Sequence, residues 1–222
     1  EKTHSEGKPY VRLKLAATLD GFTALPNGES QWITSPAARL EVQRLRAQSS
    51  AIVTGANTVL TDDPELTVRD PRIDPNYSDL ILSRPKPVYV LDSQSRTALA
   101  AKVYGNPLAR QVCGLEALNP HPNALKTKLN ANGQIDLPLF FEALAAKGVL
   151  EVLVECGPTL AGAVMQANLV DELVLFLAPK FMGAGKPLLQ LPELDKMSDL
   201  RGWSLSDTRR IGPDLKLVLK PD

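Results

Sequence analysis

The strand signal that decides the fold is VLEVLVE, residues 149–155, and CGPT follows it directly at residues 156–159. A short apolar run rich in β-branched residues is typical of a buried strand. A glycine turn followed by Pro is typical of the start of a helix. The stretch therefore predicts a strand, a tight turn and a helix over residues 160–167. That helix stops at Asn168, a residue type that tolerates a left-handed helix cap.

Strands and helices alternate along the rest of the chain as well. Strands are predicted over residues 10–17, 50–55, 87–92, 111–115 and 172–179. Helices are predicted over residues 36–48 and 138–147, and loops over residues 57–69, 70–87 and 119–134. Two final runs, residues 203–207 and 215–219, predict an antiparallel hairpin. Strands interleaved with helices indicate an α/β fold with a largely parallel sheet and helices on its faces.

Composition excludes several classes of protein. The 222 residues, a length that fits one large domain, include 25 Lys and Arg against 25 Asp and Glu. This balance excludes a generic basic nucleic-acid surface, but not a local cationic pocket for a phosphorylated small molecule. No stretch approaches the roughly 18 apolar residues of a membrane span. With two Cys, two His and no CxxC pair, we expect a cytoplasmic protein without a metal site or a Ser-His-Asp triad.

The CGPT turn allows two interpretations. A helix that starts at the carboxyl end of a strand offers backbone N–H groups and the positive end of its dipole to a phosphate. The segment matches neither the GxGxxG fingerprint nor the Walker lysine loop, so neither motif supports that interpretation. The plainer interpretation is a tight turn in which Thr159 is the N-cap residue of the helix.

Charged side chains elsewhere are ambiguous in the same way. Asp62 and Asp63, which precede a proline in a polar loop, are either functional carboxylates or ordinary turn residues. Lys14 lies on the polar face of an alternating strand, either in solvent or in a site. Arg46, beside the apolar stripe of its helix, either extends along that stripe to solvent or directs its guanidinium to a phosphate.

Several motifs occur in a fixed order along the chain. They are KLAATLDG (14–21), GESQWIT (28–34), RLRA (44–47), TVLTDDP (58–64), ECGPTLA (155–161), LVDEL (169–173) and APK (178–180). Each motif alone is weak, but the ordered set resembles the reductase domain of the bacterial bifunctional riboflavin-biosynthesis proteins of the RibD family. The resemblance extends from about residue 9 to the end.

The resemblance implies a dihydrofolate-reductase-like fold, a three-layer α/β/α arrangement with a mostly parallel central sheet and an antiparallel C-terminal hairpin. It implies one reductase domain over residues 9–222, preceded by a linker or disordered segment over residues 1–8. The implied reaction is the NADPH-dependent reduction of the ribosyl group of 5-amino-6-(5-phosphoribosylamino)uracil to the ribitylamino product. The cofactor would carry the hydride step, which explains how a site without a usable His could perform it.

The resemblance also implies a set of site residues, and no metal. The residues expected around the ribose and pyrimidine, any of which could transfer the proton, are Lys14, Asp62 and Glu155. The residues expected to bind the substrate, with the two arginines on its phosphate, are Ser30, Arg46, Leu66, Arg69 and Glu155. The residues expected to bind NADPH are Ala16, Trp32, Thr58, Asp62, Ser93, Gly157, Pro158, Thr159, Leu160, Ala161, Gly162 and Ala163.

The resemblance implies two partners and leaves two alternatives. The expected partners are a second copy of the chain, in a homodimer, and an N-terminal deaminase domain in a longer bifunctional protein. The deaminase needs both an H-x-E and a P-C-x-x-C zinc signature; this sequence has no P-C-x-x-C, and its H-x-E match at residues 4–6 cannot form the site alone. The chain is therefore expected to be a reductase, either part of a bifunctional protein or stand-alone. The alternatives are a pterin or folate reductase of the same fold and a non-catalytic nucleotide-binding module.

Overall fold

The structure, a computed structural model, describes residues 6–222. The expected linker over residues 1–8 falls largely on residues 1–5, which lie outside the described residues. The chain divides into two compact units. Of the described residues, the first contains residues 6–10 and 40–155, and the second contains residues 11–39 and 156–222. A single reductase domain over residues 9–222 stays a prediction.

The elements alternate along the chain as the sequence predicts. In order they are β1 (Tyr10–Thr18), β2 (Phe22–Ala24), α1 (Pro36–Gln48), β3 (Ala51–Gly55), α2 (Ala56–Asp62), α3 (Ser78–Leu82), β4 (Val88–Leu91), β5 (Ala109–Gly114), β6 (Leu125–Thr127), α4 (Leu137–Ala146), β7 (Glu151–Glu155), α5 (Pro158–Gln166), β8 (Glu172–Ala178), β9 (Lys186–Pro187), β10 (Trp203–Ile211) and β11 (Asp214–Pro221). Short 3-10 helices cover Pro71–Ile73, Lys102–Gly105 and Met197–Asp199.

In the first unit the strands are hydrogen-bonded in the order β7-β3-β4-β5-β6, and each of these pairs is parallel. The strands β3 and β4 read AIVTG and VYVL, which are almost wholly apolar because strands of parallel sheets are covered on both faces. Residues from these strands and from the segments that follow them form one buried cluster. Its members are Ile52, Val59, Leu66, Val88, Val90, Val103 and Ala109.

In the second unit the order is β10-β11-β8-β1. The pair β1–β8 is parallel, whereas β8–β11 and β10–β11 are antiparallel, which confirms the predicted C-terminal hairpin. The alternating sequence of β1 produces alternating burial, since Leu13 and Leu15 are buried while Lys14 is half-buried. A separate two-stranded sheet joins β2 and β9.

Some local features differ from the expectations. The segment expected to be a loop over residues 57–69 begins with α2, a seven-residue helix held by the burial of Ala56 and Val59. Its N-cap residue, Gly55, makes no side-chain cap, so the usual start signal is missing. The loops expected over residues 70–87 and 119–134 contain α3 and β6. The short strand β6 pairs only at the edge of its sheet, where no hydrophobic alternation is required.

The helix after β7 starts two residues earlier than expected, at Pro158, and its N-cap residue is Gly157. The expectation that Thr159 is the N-cap is therefore wrong, because Pro158 already fits the fixed φ angle of a first helical residue. The predicted end is confirmed. Asn168 has φ 52°, and its N–H donates to the Met165 carbonyl at 3.1 Å.

Candidate functional site

The first unit contains a buried ion pair between Arg46 of α1 and Glu155, the last residue of β7. Arg46 Nε donates to Glu155 Oε1 at 2.6 Å, and Nη2 donates to Oε2 at 3.0 Å. Nη1 donates to the Thr67 carbonyl at 3.1 Å. Burial alone would lower the pKa of Arg46, but the charge and hydrogen bonds of Glu155 raise it overall. The sequence predicts both residues for the site, and the structure brings them together.

The pair with Glu155 reduces the number of Arg46 N–H groups that can bind a phosphate. Three of the five N–H groups of its guanidinium are used within the protein. Two N–H groups remain, and the positive charge is already balanced by Glu155. Binding of a phosphate by Arg46 stays a prediction, and Arg46 is in addition the residue that holds Glu155 in place.

Two predicted site residues, Asp62 and Leu66, lie at the end of α2 and just after it, where the backbone has two positive φ angles. Asp62 ends the helix and is half-buried, and Asp63 has a left-handed φ of 40°. Leu66 also has a positive φ, 53°, although its side chain is only 3% exposed and belongs to the buried cluster. Positive φ values are costly for a branched residue and often occur at functional sites. Because the Leu66 side chain faces the core, contact with a substrate would have to come from its backbone.

Arg69, the second arginine predicted to bind phosphate, differs from Arg46 in its surroundings. Its side chain is 54% exposed, and its nearest acid, Glu65, lies 3.5 Å away. The Arg69 backbone N–H donates to Gln43 Oε1 at 2.9 Å, which holds the main chain while the guanidinium points outward. Exposed pairs of this kind contribute little to stability, so Arg69 can exchange Glu65 for a phosphate at low cost.

Besides Asp62, two residues predicted to bind the cofactor lie in the first unit. Thr58 is half-buried in α2, and Ser93 is half-buried in the loop after β4. The carbonyl of Ser93 accepts a hydrogen bond from the Gly114 N–H at 3.1 Å. Loops at the carboxyl ends of parallel strands are the usual ligand sites of such sheets.

A buried carboxylate shapes the Ser93 loop. Asp92 Oδ2 accepts hydrogen bonds from the N–H and hydroxyl of Thr97, at 2.7 and 2.8 Å, and from Gln111 Nε2 at 3.1 Å. Burial would raise the pKa of Asp92, but the hydrogen bonds from the Thr97 and Arg96 backbone, the Thr97 hydroxyl and Gln111 lower it overall. The carboxylate therefore stays ionised and closes the loop into one conformation.

Arg96, on the same loop, is a residue that the sequence reasoning missed. Its side chain is 46% exposed, and its Nε lies 3.6 Å from Asp92 Oδ1. A cation three residues after Ser93, beyond the carboxyl end of β4, is the signal that could have identified it.

The second unit carries the other predicted residues. Lys14 and Ala16 are half-buried on one face of β1, as predicted, and Ser30 is half-buried in the loop before α1. The Trp32 side chain is 61% exposed, and the Arg39 guanidinium carbon lies 4.3 Å from its ring centroid. An exposed indole backed by a cation is a flat surface on which a planar ring can stack.

The turn into α5 and its first two turns contain the remaining predicted residues, 157–163. Pro158 has no N–H, and the Ala161 N–H already donates to the Gly157 carbonyl at 3.1 Å. Thr159 and Leu160 therefore supply the backbone N–H groups at the start of the helix. Leu160 and Ala163 are half-buried, whereas the Ala161 side chain is fully buried.

Gly162 lies against the backbone of Gln190. A Cβ at Gly162 would lie 2.0 Å from the Gln190 carbonyl oxygen. The two segments are joined further by hydrogen bonds from Gln190 N–H to the Pro158 carbonyl, 3.1 Å, and from the Thr159 hydroxyl to Gln190 Oε1, 2.9 Å. Only glycine allows this approach, so Gly162 acts through packing rather than through a side-chain contact.

Within residues 6–222, no group of three or more His, Cys, Asp or Glu side chains is arranged to hold a metal ion. Among the same residues, no helix has the length and apolar character needed to cross a membrane. Cys113 is buried and Cys156 is half-buried.

Comparison with known proteins places this arrangement among relatives. A family described as RibD C-terminal domain matches residues 9–217. The riboflavin biosynthesis protein RibD of Escherichia coli (strain K12) is 42% identical over 224 residues, which are 96% of this chain and 60% of that protein. A 5-amino-6-(5-phosphoribosylamino)uracil reductase of Buchnera aphidicola subsp. Acyrthosiphon pisum is 31% identical, over 88% of this chain and 98% of that protein.

Solved structures also show similarity to RibD proteins. The structure of Acinetobacter baumannii RibD, form 1, superimposes with a TM-score of 0.86 at 31% identity, over 100% of this chain and 60% of that chain. The likeness confirms the predicted α/β fold class. The chain spans about 60% of the length of the RibD proteins described here.

Proposed function

The chain belongs to the RibD C-terminal domain family, and on this basis we propose that it reduces 5-amino-6-(5-phosphoribosylamino)uracil with NADPH in riboflavin biosynthesis. The observation that carries the proposal is the Buchnera aphidicola relative, which is named for this reductase activity and is matched over 98% of its length. The fold is the dihydrofolate-reductase-like fold expected from the resemblance.

The substrate proposal assigns the phosphate first to Arg69 and then to Arg46. Arg69 supports it with an exposed guanidinium whose only described acidic neighbour, among residues 6–222, is Glu65 at 3.5 Å. Arg46 has two remaining N–H groups, and its charge is shared with Glu155. Ser30 and the backbone of Leu66 complete the proposed substrate contacts. A phosphate dianion suits guanidinium groups because each can offer two parallel N–H donors.

The cofactor proposal fits the donors that are present. The helix start at Thr159 and Leu160 offers backbone N–H groups to a pyrophosphate, and Trp32 offers an exposed ring. Ser93 and Arg96 offer a hydroxyl and a cation to the additional phosphate that distinguishes NADPH from NADH. When bound, the nicotinamide would supply the hydride. Ala16, Thr58 and Asp62 are proposed as further contacts, as is the α5 segment up to Ala163.

The proton is proposed to come from Lys14 or Asp62. Glu155 is held at two points by the positively charged Arg46, so its carboxylate suits acceptance of a hydrogen bond from a substrate hydroxyl. Lys14 and Asp62 remain as the groups that can donate or relay a proton. A general acid is needed because reduction of an imine-like C1′ leaves a nitrogen that must be protonated.

The proposal extends to assembly and location. We propose that the domain forms a homodimer in the cytoplasm and receives its substrate from a deaminase, either an attached domain or a separate protein. Light scattering at micromolar concentration tests the dimer, and a clean monomer would contradict it.

The test of the function is the loss of NADPH absorbance when the protein is mixed with 5-amino-6-(5-phosphoribosylamino)uracil. Dihydrofolate serves as the parallel substrate. Turnover of the first compound alone supports the proposal. Turnover of dihydrofolate alone would favour the pterin or folate reductase instead. Binding of NADPH with no turnover of either compound would favour a nucleotide-binding module.

A further inference from the structure

The segment from Trp32 to Thr34 is held by cationic side chains. Lys180 Nζ donates to the carbonyl oxygens of Trp32 and Ile33, at 3.1 and 2.7 Å. Arg39 Nη1 donates to the carbonyl oxygen of Thr34 at 3.0 Å, and the same guanidinium stacks on the Trp32 ring. Three consecutive carbonyl groups thus accept hydrogen bonds from two cations, in a segment outside helices and strands.

Lys180 is itself fixed by the turn after β1. The Lys180 carbonyl accepts a hydrogen bond from the Leu19 N–H at 2.9 Å. Asp20 Oδ2 accepts hydrogen bonds from the N–H groups of Met182 and Gly183, at 2.8 and 2.7 Å, and its other oxygen accepts from the Thr18 hydroxyl. The backbone from Lys180 to Gly183 is therefore tied to the end of β1, and the ammonium group extends from a fixed base.

This arrangement is unusual for an exposed lysine. An ordered lysine side chain loses rotamer freedom, which opposes its ordering at an exposed position. Here the ammonium binds two neutral carbonyl oxygens of one segment. These hydrogen bonds from the charged ammonium offset the lost side-chain entropy of Lys180. They give the Trp32 backbone a defined position.

We propose that Lys180 is a positioning residue, which fixes the Trp32 segment so that the indole is presented to the nicotinamide cofactor. The inference rests on the proposed function, in which Trp32 contacts NADPH. The inference also gives a role to Lys180 of the APK motif, a residue that is not among the proposed substrate or cofactor contacts. A purely structural role would instead make Lys180 a support for loop stability with no effect on cofactor affinity.

The experiment uses Trp32 as its own reporter. The chain has two tryptophans, so Trp203→Phe leaves Trp32 as the single indole. In this parent we compare Lys180→Met with Lys196→Met, which removes the same charge from an exposed lysine of the same unit. Fluorescence anisotropy without cofactor reports the mobility of Trp32, and quenching of its emission by NADPH gives the dissociation constant.

The expected result is a lower anisotropy and about a tenfold weaker NADPH affinity for Lys180→Met, equivalent to about 1.4 kcal/mol, with Lys196→Met equal to the parent. If Lys180→Met does not fold, Lys180→Gln serves for the same comparison. If the Lys180 variant binds NADPH as tightly as the parent, the inference is wrong whether or not the anisotropy falls, and the proposed function is unaffected. A parent that NADPH does not quench would overturn the cofactor assignment of Trp32, and the inference with it.

Discussion

Arg46 and Glu155 are separated by 109 positions in the chain and meet in a buried two-point ion pair, with N–O distances of 2.6 and 3.0 Å. The arginine comes from the last turn of α1 and the glutamate from the end of β7. Each charge is removed from water, so each depends on the other for its stability. The pair joins a residue predicted to bind phosphate to one predicted to contact the sugar.

Removal of one partner of this pair should destabilise the protein more than removal of both. Arg46→Met leaves the Glu155 carboxylate buried without its cation, and we expect a loss of about 3–5 kcal/mol in the free energy of unfolding. Glu155→Met should cost a similar amount. Urea denaturation of the two single variants and of the double variant checks this. The double variant should recover much of the loss, and strictly additive losses would contradict the prediction.

Arg69→Ala should affect binding rather than stability. Its guanidinium is exposed and pairs weakly with Glu65, so we expect a nearly unchanged melting temperature. The loss of a charged hydrogen bond to the substrate phosphate should raise KM by about 10–100-fold. Steady-state kinetics with the phosphorylated substrate measures this.

The matched control for Arg69 is Arg72→Ala. Arg72 is also exposed and pairs with a nearby acid, Asp70, at 2.6 Å. We expect its KM to stay at the wild-type value. Equal effects of the two variants would show that general charge, rather than a contact at Arg69, controls substrate binding.

Gly162→Ala should displace the Gln190 segment from α5. The new Cβ would lie 2.0 Å from a backbone oxygen, which cannot rotate away as a side chain would. We expect a destabilisation of about 1–3 kcal/mol and weaker NADPH binding at the start of the helix. Calorimetry and a cofactor titration measure the two effects. Gly105→Ala is the control, because a Cβ there meets no atom within 4 Å, and a loss as large at Gly105 would refute the packing argument.

Asp92 should make stability depend on pH in the acid range. Its pKa in the folded protein is lowered from 3.8, so the folded state favours the ionised form. The resulting stabilisation is fully present above the unfolded pKa, and it is lost as the pH falls through the lower folded pKa. Asp92→Asn should reduce stability at neutral pH by about 1–3 kcal/mol and flatten the decline towards acid.

Denaturant titrations between about pH 7 and pH 3 test this dependence. Asp195→Asn, at an exposed position outside helices and strands, is the matched control and should retain the wild-type profile. If the stability of Asp92→Asn fell towards acid pH as steeply as that of the wild type, the acid sensitivity would belong to other carboxylates.

Local sequence patterns were sufficient for most of the fold. The alternation over β1 predicted which face carries Lys14, because a pleated strand sends successive side chains to opposite faces. The apolar run predicted β7 as a buried strand, and Asn168 predicted the helix end because Asn tolerates a left-handed conformation. The helix α2 was not, since seven residues without a capping side chain depend on the burial of Ala56 and Val59.

For the candidate site, the sequence identified the residues but not their contacts. The ordered motifs identified its residues through a resemblance, but they carried no information on pairing. That Arg46 binds Glu155, that Leu66 faces the core and that Lys180 holds the Trp32 segment depend on which distant segments meet. Arg96 was missed because an exposed arginine in a loop has no periodic signature.

The sequence by itself determined most of the strands and helices, the faces they bury and the family, because these follow from near-neighbour patterns and ordered motifs. Only the tertiary structure decided the partners of the charged groups. A guanidinium or carboxylate can satisfy its hydrogen bonds in many ways, and the burial and distances that select one of them arise when segments far apart in the chain come together.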